Sequence, residues 1–177
     1  MGCDITLTGR GTNCRNSLGG IKNVYMSQWI DGRWITASGG ATTGCTGAAN
    51  VSFYTFNLLR NSGSFNQIVT SSVENGTVYF EQTLECVFGG EKTADDVEQL
   101  VELVKDRVAI IVQDRNDEYW VMGLTHGCLV TAGSVDSGAA PGDNNGFKLT
   151  FSAEELLPAV VLTGGQSATF VDIQDAP

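Results

Sequence analysis

The sequence predicts a mainly β protein, a β-sandwich or partial barrel with one flanking α-helix over about 93–106, an extended N-terminal arm and long loops. Three observations carry that class. Residues 77–88 alternate apolar and polar without a break, the signature of a strand with one buried and one wet face. Only one stretch combines helical apolar spacing with a start signal. The chain has 177 residues, 42% of them hydrophobic, with 22 glycines and 3 prolines. That is the size and composition of one domain with many turns.

The elements follow in chain order. Residues 1–50 read as a glycine-rich arm, partly packed on the body or on a neighbour, and 51–177 as the sandwich body. Within the arm, Asn23–Ile30 has strand character, Asp31-Gly32 supplies a turn, and Arg33–Thr36 resumes in extended form. A linker of small residues, Ser38–Gly44, leads to Val51–Leu59, aromatic and β-branched as strands are. Ser64–Thr70 is a short strand, Glu74-Asn75-Gly76 a turn, and Thr77–Phe88 the longest strand. One side of it carries Val78, Phe80, Gln82, Leu84, Cys86 and Phe88; the other carries Thr77, Tyr79, Glu81, Thr83, Glu85 and Val87. At about 3.3 Å per residue it spans roughly 40 Å, long for so small a domain.

Thr93 caps the helix and Asp96 closes a capping box. Val97, Leu100, Val101 and Val104 form its apolar stripe, expected to lie against a sheet. Val108–Val112 is a fully apolar strand, Asp114–Asp117 a turn, and Tyr119–Leu124 its hairpin partner. Gly127–Gly133 and Phe147–Phe151 are strands separated by a long loop, 134–146. Ala153–Leu157 reads as at most one helical turn before Pro158. Short strands at Val160–Leu162 and Thr169–Ile173 end the chain.

The residue inventory offers little catalytic chemistry. His126 is the single histidine and reads as a turn or interface residue, with no nucleophile or orienting partner placed beside it. Glu81 and Glu85 stand about 13 Å apart by strand rise, too far for a glycosidase pair, and read as solvated charges. Asp114–Glu118 lacks the register and glycine of a calcium loop. Asp136, Asp143 and Asn144 are the acidic and amide groups of the long loop; the expectation there is contact, with binding of a divalent ion the alternative left open. The Gly-Gly pairs lack a phosphate-loop Lys-Ser/Thr, so no cofactor is expected. Five cysteines at uneven spacing make neither a disulfide framework nor a zinc pattern, and Cys86 and Cys128 read as buried small hydrophobes. The expectation is a reduced, intracellular chain, with a Cys3–Cys14 pair the one disulfide that remains open. No apolar run approaches the roughly 18 residues of a membrane helix, and the opening residues lack a signal-peptide pattern.

Charge is the most informative property. The net charge is -10, against tight binding of nucleic acid. It is unevenly spread. Residues 1–60 hold five basic residues (Arg10, Arg15, Lys22, Arg33, Arg60) and two acidic ones (Asp4, Asp31), a net of +3. Residues 61–177 hold five basic and eighteen acidic residues, a net of -13. A basic arm on an acidic body suits head-to-tail assembly. Arg15, Ile21, Lys22, Tyr25, Trp29, Arg33 and Trp34 on the arm, with Asp136, Asp143 and Asn144 on the body, are therefore the candidate subunit contacts.

Four segments carry a resemblance: Cys14–Tyr25, Asn75–Gln82, Asp117–Gly123 and Gly142–Phe151. With them the chain resembles tail-tube (major tail) and related ring-forming virion proteins of tailed bacteriophages, of a type associated with phages of Bacteroidetes-like hosts. The resemblance spans about 10–151, and 36–50 departs from it in being rich in Ser, Thr, Gly and Ala. It implies a structural virion protein of the tail, made in the host cytoplasm. It implies homo-oligomeric, hexameric rings that stack, contacts with other tail or connector proteins, and transient passage of double-stranded DNA. On that reading Thr77, Tyr79, Glu81, Thr83 and Glu85 line the channel. A head-to-tail adaptor or other virion ring, and a monomeric glycan- or protein-binding module of the tail, are the alternatives.

Overall fold

The computed structural model describes residues 17–31, 34–36, 42–45, 53–90, 92–162 and 173–175. Twelve strands and one helix make up the described part: β1 (Ile21–Gln28), β2 (Trp34–Thr36), β3 (Thr42–Cys45), β4 (Phe53–Asn57), β5 (Ser64–Ser72), β6 (Thr77–Gly89), α1 (Ala94–Lys105), β7 (Val108–Asp114), β8 (Tyr119–Met122), β9 (Leu129–Asp136), β10 (Gly146–Glu155), β11 (Val160–Val161) and β12 (Ile173–Asp175). A six-stranded sheet has the order β11-β8-β7-β1-β4-β12, and a four-stranded sheet the order β5-β6-β10-β9. A separate hairpin pairs β2 with β3. The expected class, mainly β with one flanking helix and unclosed sheets of sandwich type, is what the fold shows.

The main core lies between the two sheets. Val24, Met26, Ile110, Val112 and Met122 of the larger sheet meet Leu84, Cys86, Leu149, Phe151 and Ala153 of the smaller. The opposite face of the larger sheet is covered as well, since Tyr25, Phe53, Ala109, Ile111, Tyr119 and Val121 form a second buried cluster. Burial on both faces explains why β7 reads as a continuous apolar run rather than an alternation.

Four differences from the sequence reading concern where chain segments lie. Ile21–Gln28, assigned to the arm, is a central strand between β4 and β7, and Val24, Tyr25, Met26 and Ser27 are all buried. The boundary at residue 50 therefore cuts through a sheet, because β1 is buried on two faces and shows no clean alternation. Ala153–Glu155 continues β10 instead of turning helical; its register runs through Glu155 opposite Phe80. The 134–146 loop is shorter than expected because β9 extends to Asp136. Thr42–Cys45, read as linker, pairs with β2. Of the strand expected at Thr169–Ile173 only Ile173 is described, as the first residue of β12; Gly39-Gly40, Gly164-Gly165, Cys3, Cys14 and any bond between the two cysteines lie outside the described residues.

The helix follows its start signal closely. The Thr93 hydroxyl accepts from the Asp96 N–H, and the Asp96 carboxylate accepts from the Thr93 N–H in return. Its apolar stripe does not behave as expected. Leu100 and Leu103 pack on the core, whereas Val97, Val101 and Val104 are 48%, 42% and 52% exposed. Periodicity gives the apolar side of a helix but not its angle to the sheet, and here the helix presents Leu100 and Leu103 inward.

Candidate functional site

The surface that stands out is the outer face of the four-stranded sheet together with its two edges. Along β6, Gln82, Leu84 and Cys86 are buried while Glu85 is exposed and Glu81 and Thr83 are half-buried. The alternation thus turns Glu81, Thr83 and Glu85 away from the core. Thr77 is exposed and Tyr79 half-buried, at the far end of the strand. There both sides emerge, and Val78, expected in the core, is 52% exposed. The cause is the unequal length of neighbours: β5 pairs with β6 out to Ser72 opposite Thr77, but β10 stops at Phe80.

Register fills in the rest of the face. Thr83 lies opposite Ser152 and Asn66, and Glu85 opposite Thr150 and Ser64. Glu81 lies directly opposite Glu154, which is exposed. Like charges opposed in an antiparallel pair are unfavourable, so folding alone does not favour this arrangement. Glu154 was missed in the sequence because 153–157 read as a helical turn. Lys148 is the one cation on the β10 stretch of this face. The face also carries exposed Ile68, opposite Glu81, and exposed Leu129, opposite Ser152. The surface is therefore acidic along β6 and β10 and partly apolar toward the edge strands.

The two edge strands carry almost no charge. β5 has no charged residue in nine, and β9 has only Asp136, its last. Within the described residues neither strand has a partner on its outer side.

The candidate contact residues scatter. Ile21 and Tyr25 are core residues, 8% and 3% exposed, and the Tyr25 hydroxyl donates to Gln113 Oε1 at 2.9 Å. Their apolar and aromatic character serves the monomer's own core, which corrects their assignment to a contact surface. Lys22 Nζ pairs with Asp117 Oδ1 at 2.7 Å across the β7–β8 turn. That bond holds the lysine above its usual range and the carboxyl below its own. Trp29 is half-buried under the Arg107 guanidinium, 4.5 Å from the ring centroid. Trp34 sits in β2; Arg15 and Arg33 lie outside the described residues.

The acidic loop binds itself. Asp143 accepts from the N–H groups of Ala139 and Ala140 at 2.9 and 2.8 Å, which lowers its pKa. Asp136 Oδ2 accepts from Ser134, and its carbonyl accepts from Lys92 Nζ at 2.6 Å. Asn144 is exposed. Among the described residues no group of three or more potential ligands is placed to hold a metal ion.

Two further features had no sequence signal. Glu155 is 2% exposed, and its Oε1 accepts from the Thr125 and His126 N–H groups, both at 2.8 Å. His126 Nδ1 stands 3.4 Å from Glu155 Oε2, outside hydrogen-bond geometry. This carboxylate fixes the Gly123–Gly127 turn. The second feature is a groove of about 270 Å³ between α1 and the sheets, walled by Phe56, Phe88, Leu100, Leu103 and Phe147. Thr55, whose hydroxyl is buried without a hydrogen bond, lies in its lining. Cys86 and Cys128 are fully buried, as read, and burial pushes the Cys86 thiol up to about 12.

No family model, curated protein or solved structure matches the chain.

Proposed function

We propose that this protein is a ring-forming structural subunit, a tail-tube protein of a tailed phage, whose four-stranded sheet continues from copy to copy around a DNA channel. The observation that carries the reading is that β5 and β9 are nearly uncharged and, among the described residues, pair with no strand on their outer sides. Lasting monomers blunt such edges with charge, proline or a covering element. Every neighbour in the order β5-β6-β10-β9 is antiparallel, so the two edge strands run in opposite directions. A second copy rotated about an axis along the strands therefore brings its β5 antiparallel to the first copy's β9. Repetition closes a ring. The face bearing Glu81, Glu85 and Glu154 lines the channel, where acidity keeps the phosphate backbone from adhering. The assignment to a virion rests on the resemblance carried by the four sequence segments.

The test is solution mass across a concentration series for the wild type and for Val69→Lys and Val135→Lys. Both positions are more than half exposed, so the fold tolerates the change. The wild type is expected to form multimers and the variants to need higher concentration. A wild type that stays monomeric at its highest soluble concentration, or variants that assemble like it, would overturn the edge-to-edge reading and favour the monomeric binding module.

A further inference from the structure

The two edge strands of the four-stranded sheet match each other residue by residue. On the core side β5 presents Phe65, Gln67 and Val69, which stand opposite Leu84, Gln82 and Phe80. On the same side β9 presents Val130, Gly133 and Val135, opposite Phe151, Leu149 and Phe147. Thr131 is the extra residue of a bulge, because the consecutive Thr150 and Phe151 pair with Ala132 and Val130. The outer side carries Asn66, Ile68 and Thr70 of β5, and Leu129, Ala132 and Ser134 of β9. Val69 and Val135 on the core side are exposed, as are Ile68 and Leu129 on the outer side, so each edge strand leaves an apolar residue open on both faces.

We infer that β9 of one copy pairs with β5 of the next in a single register, with Val130 opposite Val69 and Val135 opposite Phe65 on the core side, and Ala132 opposite Ile68 on the outer side. This register rests on the edge-to-edge assembly proposed above. A slip by one residue would turn core-side groups outward, so only shifts by two keep the faces continuous. Among these, the inferred register uses all of β9 except Thr131, against Ser64–Thr70. It joins β-branched and aromatic groups, a favourable cross-strand combination, and sets Gln67 against Gly133, which has no side chain. Slipping by two one way puts Val130 against Gln67 and Phe65 against Gly133; the other way puts Val135 against Gln67 and Val130 against Ser71. Both lose the apolar pairs. The stagger also suits closure. From Ser64 the pairs run through Glu85, Thr150 and Ala132 to Ile68 of the next copy, a displacement of four residues over four strands. Shear equal in size to strand number is a closed-barrel geometry, with strands tilted about 36°.

Oxidative cross-linking of the full chain, with Cys3→Ser, Cys14→Ser and Cys45→Ser, tests it. Ile68→Cys is combined in turn with Ala132→Cys, Leu129→Cys and Ser134→Cys, one for each register and all at exposed positions. Facing residues of an antiparallel pair have Cα atoms about 4.5–5.5 Å apart, within reach of a disulfide. Residues displaced by two along the strand are about 8 Å apart, beyond it. Within one chain β6 and β10 separate β5 from β9, so a link between these cysteines joins two copies. The expected result is a ladder of covalent multimers for Ile68→Cys with Ala132→Cys, about tenfold above the other two combinations. Val69→Cys with Val130→Cys gives the same ladder from the core side. If wild-type protein assembles but the ladder comes from Leu129→Cys or Ser134→Cys, the register is wrong and the ring reading stands. If wild-type protein assembles and no combination links, the edges do not meet, and the register falls with the edge-to-edge reading. If wild-type protein stays monomeric, both fall.

Discussion

Leu18 and Asn116, 98 residues apart, are joined by two hydrogen bonds through a single side chain. The Leu18 N–H donates to Asn116 Oδ1 at 2.8 Å, and Asn116 Nδ2 donates to the Leu18 carbonyl at 3.0 Å. The turn that makes this possible is held by Asp114, whose Oδ1 accepts from the Asn116 and Glu118 N–H groups. The chain entering β1 is thus fastened to the β7–β8 turn, and Lys22 adds its pair with Asp117 nearby.

Asn116→Ala removes both bonds to Leu18. Both lie at the surface, where each is worth about 0.5–1.5 kcal/mol and water replaces part of it. Urea unfolding is expected to show a loss of about 1 kcal/mol with an unchanged slope. A variant as stable as the wild type would show that the clamp is not held in solution.

Glu155 supplies a larger effect. Glu155→Leu deprives the Thr125 and His126 N–H groups of their acceptor, and each donor left unmet in this part-buried turn costs about 1 kcal/mol, toward the low end of the range for a buried one. Glu155→Gln keeps an acceptor oxygen and the same shape. The expected order of stability in urea is wild type, then Gln, then Leu, with Leu lower by at least about 2 kcal/mol. Equal losses for Gln and Leu would mean that the charge, not the two accepted bonds, secures the turn.

The helix cap gives a pH signature. Hydrogen bonds from the Thr93 backbone and side chain hold the Asp96 carboxyl below the usual aspartate range. A carboxyl depressed in the folded state contributes stability above its unfolded pKa and loses it as pH falls through the folded one. Asp96→Asn is therefore less stable than wild type at pH 7, and the gap narrows below about pH 4. Thr93→Ala costs about 1 kcal/mol at neutral pH. Thermal melts of the three proteins from pH 7 to pH 2 check both statements. A gap between wild type and Asp96→Asn that ignores pH would contradict the cap.

Gly146 opens β10 at a place where a Cβ would run into the carbonyl group of Phe88. Gly146→Ala is expected to lower stability by roughly 1–3 kcal/mol, because backbone rather than a flexible side chain must move. Amide exchange should rise at Phe88 and Phe147 and stay unchanged at the Asn116 turn. Protection that is unaltered along β6 and β10 would show that the strands absorb the added methyl group.

What could be read in the sequence, and what could not, follows from range. The alternation of β6 and the capping box of α1 depend on residues a few positions apart, and both are present. The hairpin of β7 and β8 is equally local. The place of β1 was hidden because its partners in the sheet, β4 and β7, lie about 30 and 90 residues away. Both its faces are also buried, Val24 and Met26 in the core between the sheets and Tyr25 in the cluster on the other side. Glu154 and Glu155 look like solvated neighbours in sequence. Only the continuation of β10 turns one to the acidic face and the other to the amides of 125 and 126. The valine strip of α1 was visible as apolar, but its exposure depends on the angle between helix and sheet.

The central claim is that the sheet β5-β6-β10-β9 continues between copies with its acidic face inward. Particle imaging of the full-length protein at high concentration, to a resolution that traces strands, tests it most directly. The account predicts closed rings in which β9 of each copy pairs antiparallel with β5 of the next, four strands per copy line a central channel, and Glu81 and Glu85 point into it. Particles that remain single copies, or rings in which that face lies outside or against a neighbour's core, would contradict it.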